Sequence, residues 1–192
     1  MIIVTGGAGF IGSNFILKFL EASNENLLNL DNLSYAANLS NLKTIDSDPR
    51  YSFSKINIQN QSEVEEIVKE VKPRAILNFA AESHVDRSIE GPESFINTNI
   101  LGTYSLLEAA LNYWNDLDES GKRVFRFFHI STDEVFGSLD INDKKSTEES
   151  SYKPNSPYSA SKAASDHLVR AWHHTFKLPT LVSNCTNNYG PH

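Results

Sequence analysis

The sequence predicts an α/β fold in which a doubly wound parallel sheet carries helices on both faces. Strand-like and helix-like segments alternate along the chain, a pattern typical of right-handed βαβ units. Two strand-like runs, residues 75–81 and 124–130, are largely apolar, as buried central strands are. A glycine-rich turn follows the first apolar run, and together these features predict one Rossmann-type domain over residues 1–192.

The first predicted elements are a strand at residues 2–5 and a helix at residues 10–22, joined through glycines at 6, 9 and 12. Glycine lets the backbone turn tightly and approach phosphates, while the N–H groups at the start of the helix face negative charge. A glycine triplet alone also marks ordinary turns. Its place between a strand and a helix predicts a site for a dinucleotide pyrophosphate.

The second predicted strand, residues 26–31, ends in Asp31, about 20 residues past the glycines as dinucleotide-binding units require. A carboxylate there accepts hydrogen bonds from the adenosine ribose and repels a 2′-phosphate. Asp31 therefore predicts NAD rather than NADP as the cofactor. The alternative is a solvated acid at a strand end.

The remaining elements continue the alternation and leave one long polar connection. Strands are expected near 51–57, 74–80, 124–131 and 179–185, and helices near 61–71, 92–115 and 157–176. Residues 138–155 are the most polar segment, and we expect a long loop beside the functional site.

Composition narrows the class of protein. The net charge of −7 disfavours nucleic acid and acidic membrane surfaces as partners. A single cysteine, Cys185, excludes a disulfide within the chain and favours a cytoplasmic setting. A strand that starts at Met1 leaves no room for a signal peptide ahead of it, and no apolar run approaches the ~20 residues of a membrane span. The histidines, His192 included, show no metal-ligand spacing.

Tyr158 and Lys162 are four residues apart in the helix at 157–176, so they share one face. We expect the ammonium to lower the pKa of the phenol from about 10 toward neutrality. The phenolate would then take a proton from a substrate alcohol as hydride leaves for NAD, and Lys162 would hold the nicotinamide ribose. A Tyr-x-x-x-Lys spacing alone is often accidental, with a surface tyrosine and a solvated lysine as the alternative.

A second polar group, Thr132-Asp133-Glu134, follows the strand at 124–131, where a parallel sheet places its active site. The hydroxyl of Thr132, or of Ser131 before it, can hydrogen-bond the alcohol that Tyr158 deprotonates, and we prefer Thr132. Adjacent carboxylates can divide acid and base roles if their environments separate their pKa values. An Asp-Glu pair that only solvates a loop is the alternative.

These motifs together resemble the extended short-chain dehydrogenases/reductases, and among them the dTDP-glucose 4,6-dehydratase family. The resemblance extends over the whole chain and is carried by 5–13, 31–36, 80–88, 97–99, 131–137, Tyr158 with Lys162, and 184–191. Epimerases and decarboxylases of this superfamily usually lack the Asp-Glu pair. The pair therefore favours a dehydratase.

The resemblance implies a three-step reaction on a nucleotide-sugar substrate. Tyr158 deprotonates the sugar O4 while the C4 hydride passes to NAD. Glu134 then removes the C5 proton, and Asp133 protonates the departing C6 hydroxyl. Hydride returns to C6 and yields a 4-keto-6-deoxy sugar.

The resemblance also implies residues for each ligand. Expected cofactor-binding residues are Gly6, Gly9, Phe10, Ile11, Gly12, Asp31, Asn32, Leu33, Ser34, Asn57, Ile58, Ala80, Ala81, Ser83, Thr98, Tyr158 and Lys162. Expected substrate-binding residues are His84, Thr132 and Asn187. Asn57 stands where the family usually has aspartate, which predicts a weaker adenine contact. A neutral, packed histidine is the alternative for His84.

The family has a nucleotide-sugar domain beyond the matched region, so we expect a truncated chain that lacks this C-terminal substrate domain and has little turnover by itself. The helices at 92–115 and 157–176 have apolar faces with Leu106, Leu107, Leu111, Leu168 and Trp172. The family resemblance implies that these faces form a homodimer, with burial inside one subunit as the alternative. Two other functions stay open: another nucleotide-sugar epimerase or decarboxylase, and a non-catalytic NAD-binding fragment.

Overall fold

A computed structural model describes residues 1–191 and places six parallel strands in one sheet. The strands are β1 Ile2–Thr5, β2 Leu27–Asp31, β3 Tyr51–Lys55, β4 Ala75–Asn78, β5 Arg126–Thr132 and β6 Thr180–Cys185. Their order across the sheet is β3-β2-β1-β4-β5-β6. The order reverses between β1 and β4, and ligands of such sheets bind outside the carboxyl ends of the strands at that point.

Helices cover both faces of the sheet, which confirms the doubly wound prediction. They are α1 Phe10–Ala22, α2 Gln61–Val71, α3 Val85–Glu90, α4 Pro92–Phe95, α5 Thr103–Asn115, α6 Glu119–Val124 and α7 Pro157–Phe176. One core joins Ile3 and Phe127 of the sheet to Leu106 of α5 and Val169 of α7. A second core packs α1 against the opposite face of β1 and β4.

Two predicted elements differ from the structure. The helix expected at 92–115 is interrupted, because a π-helical turn at Ile96–Gly102 separates α4 from α5. The strand expected from residue 124 begins at Arg126, because α6 takes up Val124. This helix starts where the Asp118 carboxylate accepts a hydrogen bond from the Gly121 N–H at 2.7 Å, a local cap that outweighs the strand-like composition.

The apolar side chains predicted on the faces of the two long helices pack against the core of the chain itself. Leu106 and Leu107 are fully buried, while Leu111, Leu168 and Trp172 pack partly buried against the same core. Burial within one subunit, the alternative above, therefore accounts for these five side chains.

The polar segment 138–155 runs as a loop without helix or strand. The Lys153 N–H donates to the carbonyl oxygen of Val135 at 2.9 Å, which holds the loop against the turn that follows β5. Along residues 1–191, none of the helices is long and apolar enough to cross a membrane.

Candidate functional site

A cavity of about 560 Å³ opens over the carboxyl ends of β1, β2, β4 and β5. Most of the expected ligand-binding residues line it: Gly6, Gly9, Phe10, Ile11, Gly12, Asp31, Asn32, Ser34, Ile58, Ala80, Ala81, Ser83, His84, Thr98, Tyr158 and Lys162. Leu33, Asn57, Thr132 and Asn187 lie outside the lining. The fold thus brings residues that are far apart in the sequence, from Gly6 to Lys162, to one cavity.

The glycine turn forms a cradle between β1 and α1. Gly6 has a φ of +69°, and a Cβ there would lie 2.6 Å from the backbone nitrogen of Ala80. A Cβ on Gly12 would collide with the carbonyl oxygen of Gly6, so the third glycine lets α1 pack against the turn as predicted. No side chain caps the start of α1, which leaves its first N–H groups available to an anion.

Asp31 ties the end of β2 to this cradle. One carboxylate oxygen accepts from the Ala8 N–H at 2.9 Å, and the other from the Leu33 N–H at 2.8 Å. Leu33 adopts a φ of +57°, and its backbone supports Asp31 from outside the cavity. Each carboxylate oxygen keeps further acceptor capacity for a ribose hydroxyl.

Asn57 is exposed beside the cavity. Its side-chain oxygen accepts from the Gln59 N–H at 3.0 Å, while the next residue, Ile58, is buried and lines the cavity. The adenine contact of Asn57 stays a prediction.

The cavity also contains residues that were not assigned a role from the sequence. These are Leu30, Tyr35, Ala36, Ala37, Ile56, Phe79 and Ile130, whereas Ser131, the alternative to Thr132, and Glu82, between the expected residues Ala81 and Ser83, line it as well. The Tyr35 hydroxyl lies 2.8 Å from Nδ1 of His84, and the Arg87 guanidinium stacks 3.7 Å from the Tyr35 ring centre. Tyr35 lies in the 31–36 motif, but its place beside His84 depends on a contact between distant segments.

The start of α7 positions Tyr158 and Lys162. Ser156 and Ser159 form a reciprocal cap that begins the helix at Pro157, so Tyr158 falls in the first turn and Lys162 one turn later. Both side chains are buried, at 8% and 3% exposure. The Lys162 Nζ donates to the carbonyl oxygen of Ile130 at 2.7 Å.

The expected lowering of the phenol pKa is wrong. Burial, together with the charges of Glu134, Asp133 and Asp166, raises the pKa of Tyr158 to about 12, and the neighbouring Thr132 hydroxyl offsets part of this rise. Burial also lowers the pKa of Lys162 to about 8. Lys162 is thus buried and hydrogen-bonded to the Ile130 carbonyl oxygen. The charges that act on the phenol of Tyr158 come from carboxylates.

The Thr132-Asp133-Glu134 group forms the end of β5 and the 3₁₀ turn at Asp133–Phe136. The Thr132 hydroxyl accepts from the Glu134 N–H at 3.2 Å and caps the turn. Burial, followed by the charge of Asp133, raises the pKa of Glu134. The charges of both carboxylates act on the phenol of Tyr158, and the turn that bears them packs against α7, although neither carboxylate lines the cavity.

The remaining predictions concern Asn187 and the histidines. Asn187 is exposed in the segment after β6. Within residues 1–191, no three histidine, cysteine, aspartate or glutamate side chains cluster as metal ligands would, and His192 lies outside the described residues.

Comparison with known proteins places the chain among nucleotide-sugar enzymes. The family model described as GDP-mannose 4,6 dehydratase matches residues 3–192. The chain is 53% identical to the dTDP-glucose 4,6-dehydratase of Haemophilus influenzae, over 98% of this chain and 56% of the relative. It is 54% identical to that of Xanthomonas campestris pv. campestris strain B100, over 99% of this chain and 54% of the relative.

Solved structures give the same picture. The dTDP-glucose 4,6-dehydratase DesIV of Streptomyces venezuelae, with NAD and TYD bound, matches with a TM-score of 0.90 and 43% identity, over 99% of this chain and 56% of that chain. The UDP-glucose 4-epimerase of Thermus thermophilus, in complex with NAD, matches with a TM-score of 0.80 and 28% identity, over 94% of this chain and 53% of that chain. The chain therefore spans about half the length of the relatives it matches.

Proposed function

Because this chain belongs to the GDP-mannose 4,6-dehydratase family, we propose that it carries the cofactor-binding and proton-transfer groups of a dTDP-glucose 4,6-dehydratase. The observation that carries the proposal is the packing of the turn that bears Asp133 and Glu134 against α7, where both carboxylate charges act on the phenol of Tyr158. Elimination of water needs a base and an acid in addition to the tyrosine. Relatives named as dTDP-glucose 4,6-dehydratases also match at 50–54% identity, against 28% for the Thermus epimerase.

We propose NAD as the cofactor of the cavity. The glycines at 6 and 12 leave room for a pyrophosphate where a Cβ would intrude. The uncapped start of α1 supplies N–H donors to the phosphates. Asp31, which lines the cavity, offers acceptors to the ribose hydroxyls. Lys162 and Tyr158 line the same cavity, and we propose that the nicotinamide and the reacting sugar carbon bind beside them. When bound, NAD accepts hydride from the sugar C4 and gives it back at C6.

The residues of the chain handle the protons. Tyr158 accepts the O4 proton, which requires the phenol to ionise close to the positive charge of Lys162. The resulting ketone at C4 acidifies C5, and Glu134, whose pKa is raised, is the stronger base for that proton. Asp133 protonates the departing C6 hydroxyl, so the water that leaves carries one proton from the site. Glu134 returns its proton to C5 as hydride reaches C6, and the proton taken by Tyr158 replaces the one that Asp133 gave up.

Product analysis tests this function. With NAD and dTDP-glucose, the chain by itself should show little turnover, whereas the chimera described next should form a 4-keto-6-deoxy product. A chimera that continues with the remaining part of the Haemophilus influenzae relative provides a protein of full family length for the variants below. An epimer at C4 that keeps its C6 hydroxyl would favour an epimerase, and NAD binding without turnover by the chimera would favour a binding module.

Asp31 is expected to determine the choice of dinucleotide. The wild-type chain should bind NAD at least about tenfold tighter than NADP, because a buried carboxylate repels a 2′-phosphate, and one charged hydrogen bond is worth about 1.5–3 kcal/mol. Asp31→Ala should weaken the binding of NAD and bring the affinities for NAD and NADP closer together. Titration calorimetry with both dinucleotides measures this, with the exposed Asp46→Ala as control. Equal wild-type affinities would refute the role.

The depressed pKa of Lys162 gives a stability prediction. Between pH 8 and about 10.4 the unfolded chain holds a proton on this lysine that the folded chain has released, so folding becomes more favourable as pH rises. Compared with Lys162→Met, the wild type should gain up to about 3 kcal/mol across that window. Urea unfolding of both proteins at pH 7, 8, 9 and 10 gives the difference. A constant difference would show that Lys162 titrates normally.

We also propose that the protein is cytoplasmic and a homodimer. The single cysteine is consistent with a reducing compartment. Leu101 of the π-helical turn, Tyr104 of α5 and Phe176 of α7 are exposed apolar side chains, at 50%, 37% and 45% exposure. We expect Leu101→Glu to lower the sedimentation coefficient of the chimera to that of a monomer, whereas Ile141→Glu, at a fully exposed loop position, should leave it unchanged.

A further inference from the structure

Asp166 is a buried carboxylate that the proposed reaction does not use. It lies on α7 one turn after Lys162 and is 3% exposed. Its Oδ2 accepts hydrogen bonds from the Ser131 hydroxyl at 2.8 Å, the Tyr152 hydroxyl at 2.9 Å and the Asn184 amide at 3.3 Å. Burial of a carboxylate is costly unless a charge or donors compensate for it.

His129 does not supply that charge. The Ser165 hydroxyl donates to the carbonyl oxygen of Lys162 at 2.8 Å, so it accepts from Nε2 of His129 at 3.2 Å. Nδ1 then accepts from the Asn78 amide at 3.2 Å, which defines a neutral ring. Burial and the charge of Lys162 lower the pKa of His129 to about 4. Nε2 lies 3.4 Å from Oδ1 of Asp166, yet Oδ1 has no hydrogen-bond partner among residues 1–191.

Lys162 is the buried positive charge that lies one helical turn before Asp166 on α7. In the described part of the chain its Nζ forms no ion pair within 4 Å. Burial lowers the pKa of Lys162, and Asp166 opposes this more than the Cys185 thiol of β6 does. Burial would raise the pKa of Asp166, whereas the Ser131 hydroxyl and the charge of Lys162 lower it, and the three hydrogen bonds donated to Oδ2 favour the ionised carboxylate. Both groups are therefore ionised at neutral pH.

The same carboxylate fixes the end of β5. The Asn184 amide donates to the carbonyl oxygen of Thr132 at 3.2 Å as well as to Asp166. Ser131, which lines the cofactor cavity, is held directly. One side chain thus connects α7, β5, β6 and the polar loop through Tyr152.

We propose that Asp166 is a positioning residue of the active site, which keeps Lys162 protonated as its buried counter-charge and fixes the Ser131–Thr132 end of β5. The part played in catalysis rests on the proposed function, whereas the charge pairing with Lys162 does not. Loss of the negative charge would leave Lys162 buried among Tyr158, the neutral His129 and Cys185, and the lysine would lose its proton near neutral pH.

NMR titration of the ligand-free chain tests the pairing without turnover. The ¹³Cε signal of Lys162, assigned by its absence in Lys162→Met, should titrate near pH 8 in the wild type. In Asp166→Asn the midpoint should fall by about one pH unit or more, as expected when an opposite charge is removed. Tyr152→Phe removes one hydrogen bond to Asp166 but keeps its charge, and it should move the midpoint far less. An unchanged midpoint in Asp166→Asn would overturn the proposal.

If Asp166→Asn does not fold, NMR titration of the wild type still tests the pairing of Asp166 with Lys162. The ¹³Cγ signal of Asp166 should show an ionised carboxylate at pH 7 and a step as Lys162 loses its proton. A protonated Asp166 at pH 7, or no step, would overturn the pairing. In the active chimera, Asp166→Asn should shift the alkaline limb of kcat to lower pH with KM little changed. Absence of turnover in the wild-type chimera would refute the proposed function and leave the NMR result standing.

Discussion

Replacing Glu134 by glutamine in the chimera should stop the reaction after oxidation at C4. The variant keeps Tyr158 and Lys162, so the 4-ketone forms, but the base for the C5 proton is gone. Loss of one positioned base costs about 10²–10⁴ in rate. Reduced nicotinamide should therefore accumulate on the enzyme, visible in its near-ultraviolet absorbance, together with a 4-keto sugar that keeps its C6 hydroxyl.

The raised pKa of Glu134 explains why this carboxylate, and not any exposed acid, should have the effect. Burial and the neighbouring Asp133 make it a stronger base. Glu149→Gln is the matched control, because Glu149 is exposed in the polar loop. Wild-type turnover by Glu134→Gln, or failure before reduced nicotinamide appears, would show that the C5 proton has another acceptor.

Local patterns were sufficient to predict much of the fold and the outline of the site. The glycine turn, Asp31 at the end of β2 and the four-residue spacing of Tyr158 and Lys162 depend on backbone geometry within one or two elements. Each of these residues lines the cavity in the structure. The sequence predicts them because a strand, a turn and a helix carry their own periodicity.

Features that depend on contacts between distant segments could not be predicted in the same way. The π-helical turn at Ile96–Gly102 contains Asn99, whose amide holds the backbone of Glu82 and the hydroxyl of Ser161. The hydrogen bond from Lys162 to the Ile130 carbonyl also joins two elements far apart in sequence. The prediction for the pKa of Tyr158 is wrong for this reason, since spacing on a helix says nothing about the burial of the phenol or about the carboxylates near it.

Replacing Tyr158 by phenylalanine should have the larger effect, because it removes the base for the first step. Without the phenol, O4 keeps its proton and C4 is not oxidised. No reduced nicotinamide should form, and hydrogen at C5 should not exchange with solvent deuterium, since only the 4-ketone acidifies it. NAD affinity should change little, because Asp31 and the glycine cradle remain. Turnover should fall by about 10²–10⁴ or more.

Tyr113→Phe is the control, since Tyr113 is equally buried but lies in the core beside Phe125, away from the cavity. The two active-site variants then separate the steps. Tyr158→Phe should show neither oxidation nor C5 exchange, and Glu134→Gln should show oxidation without C5 exchange. If Tyr158→Phe still reduces the nicotinamide, another group accepts the O4 proton. Tyr158 would then keep its high pKa and its proton during turnover. Lys162, with Asp166 as its buried counter-charge, would contribute only to binding of the cofactor.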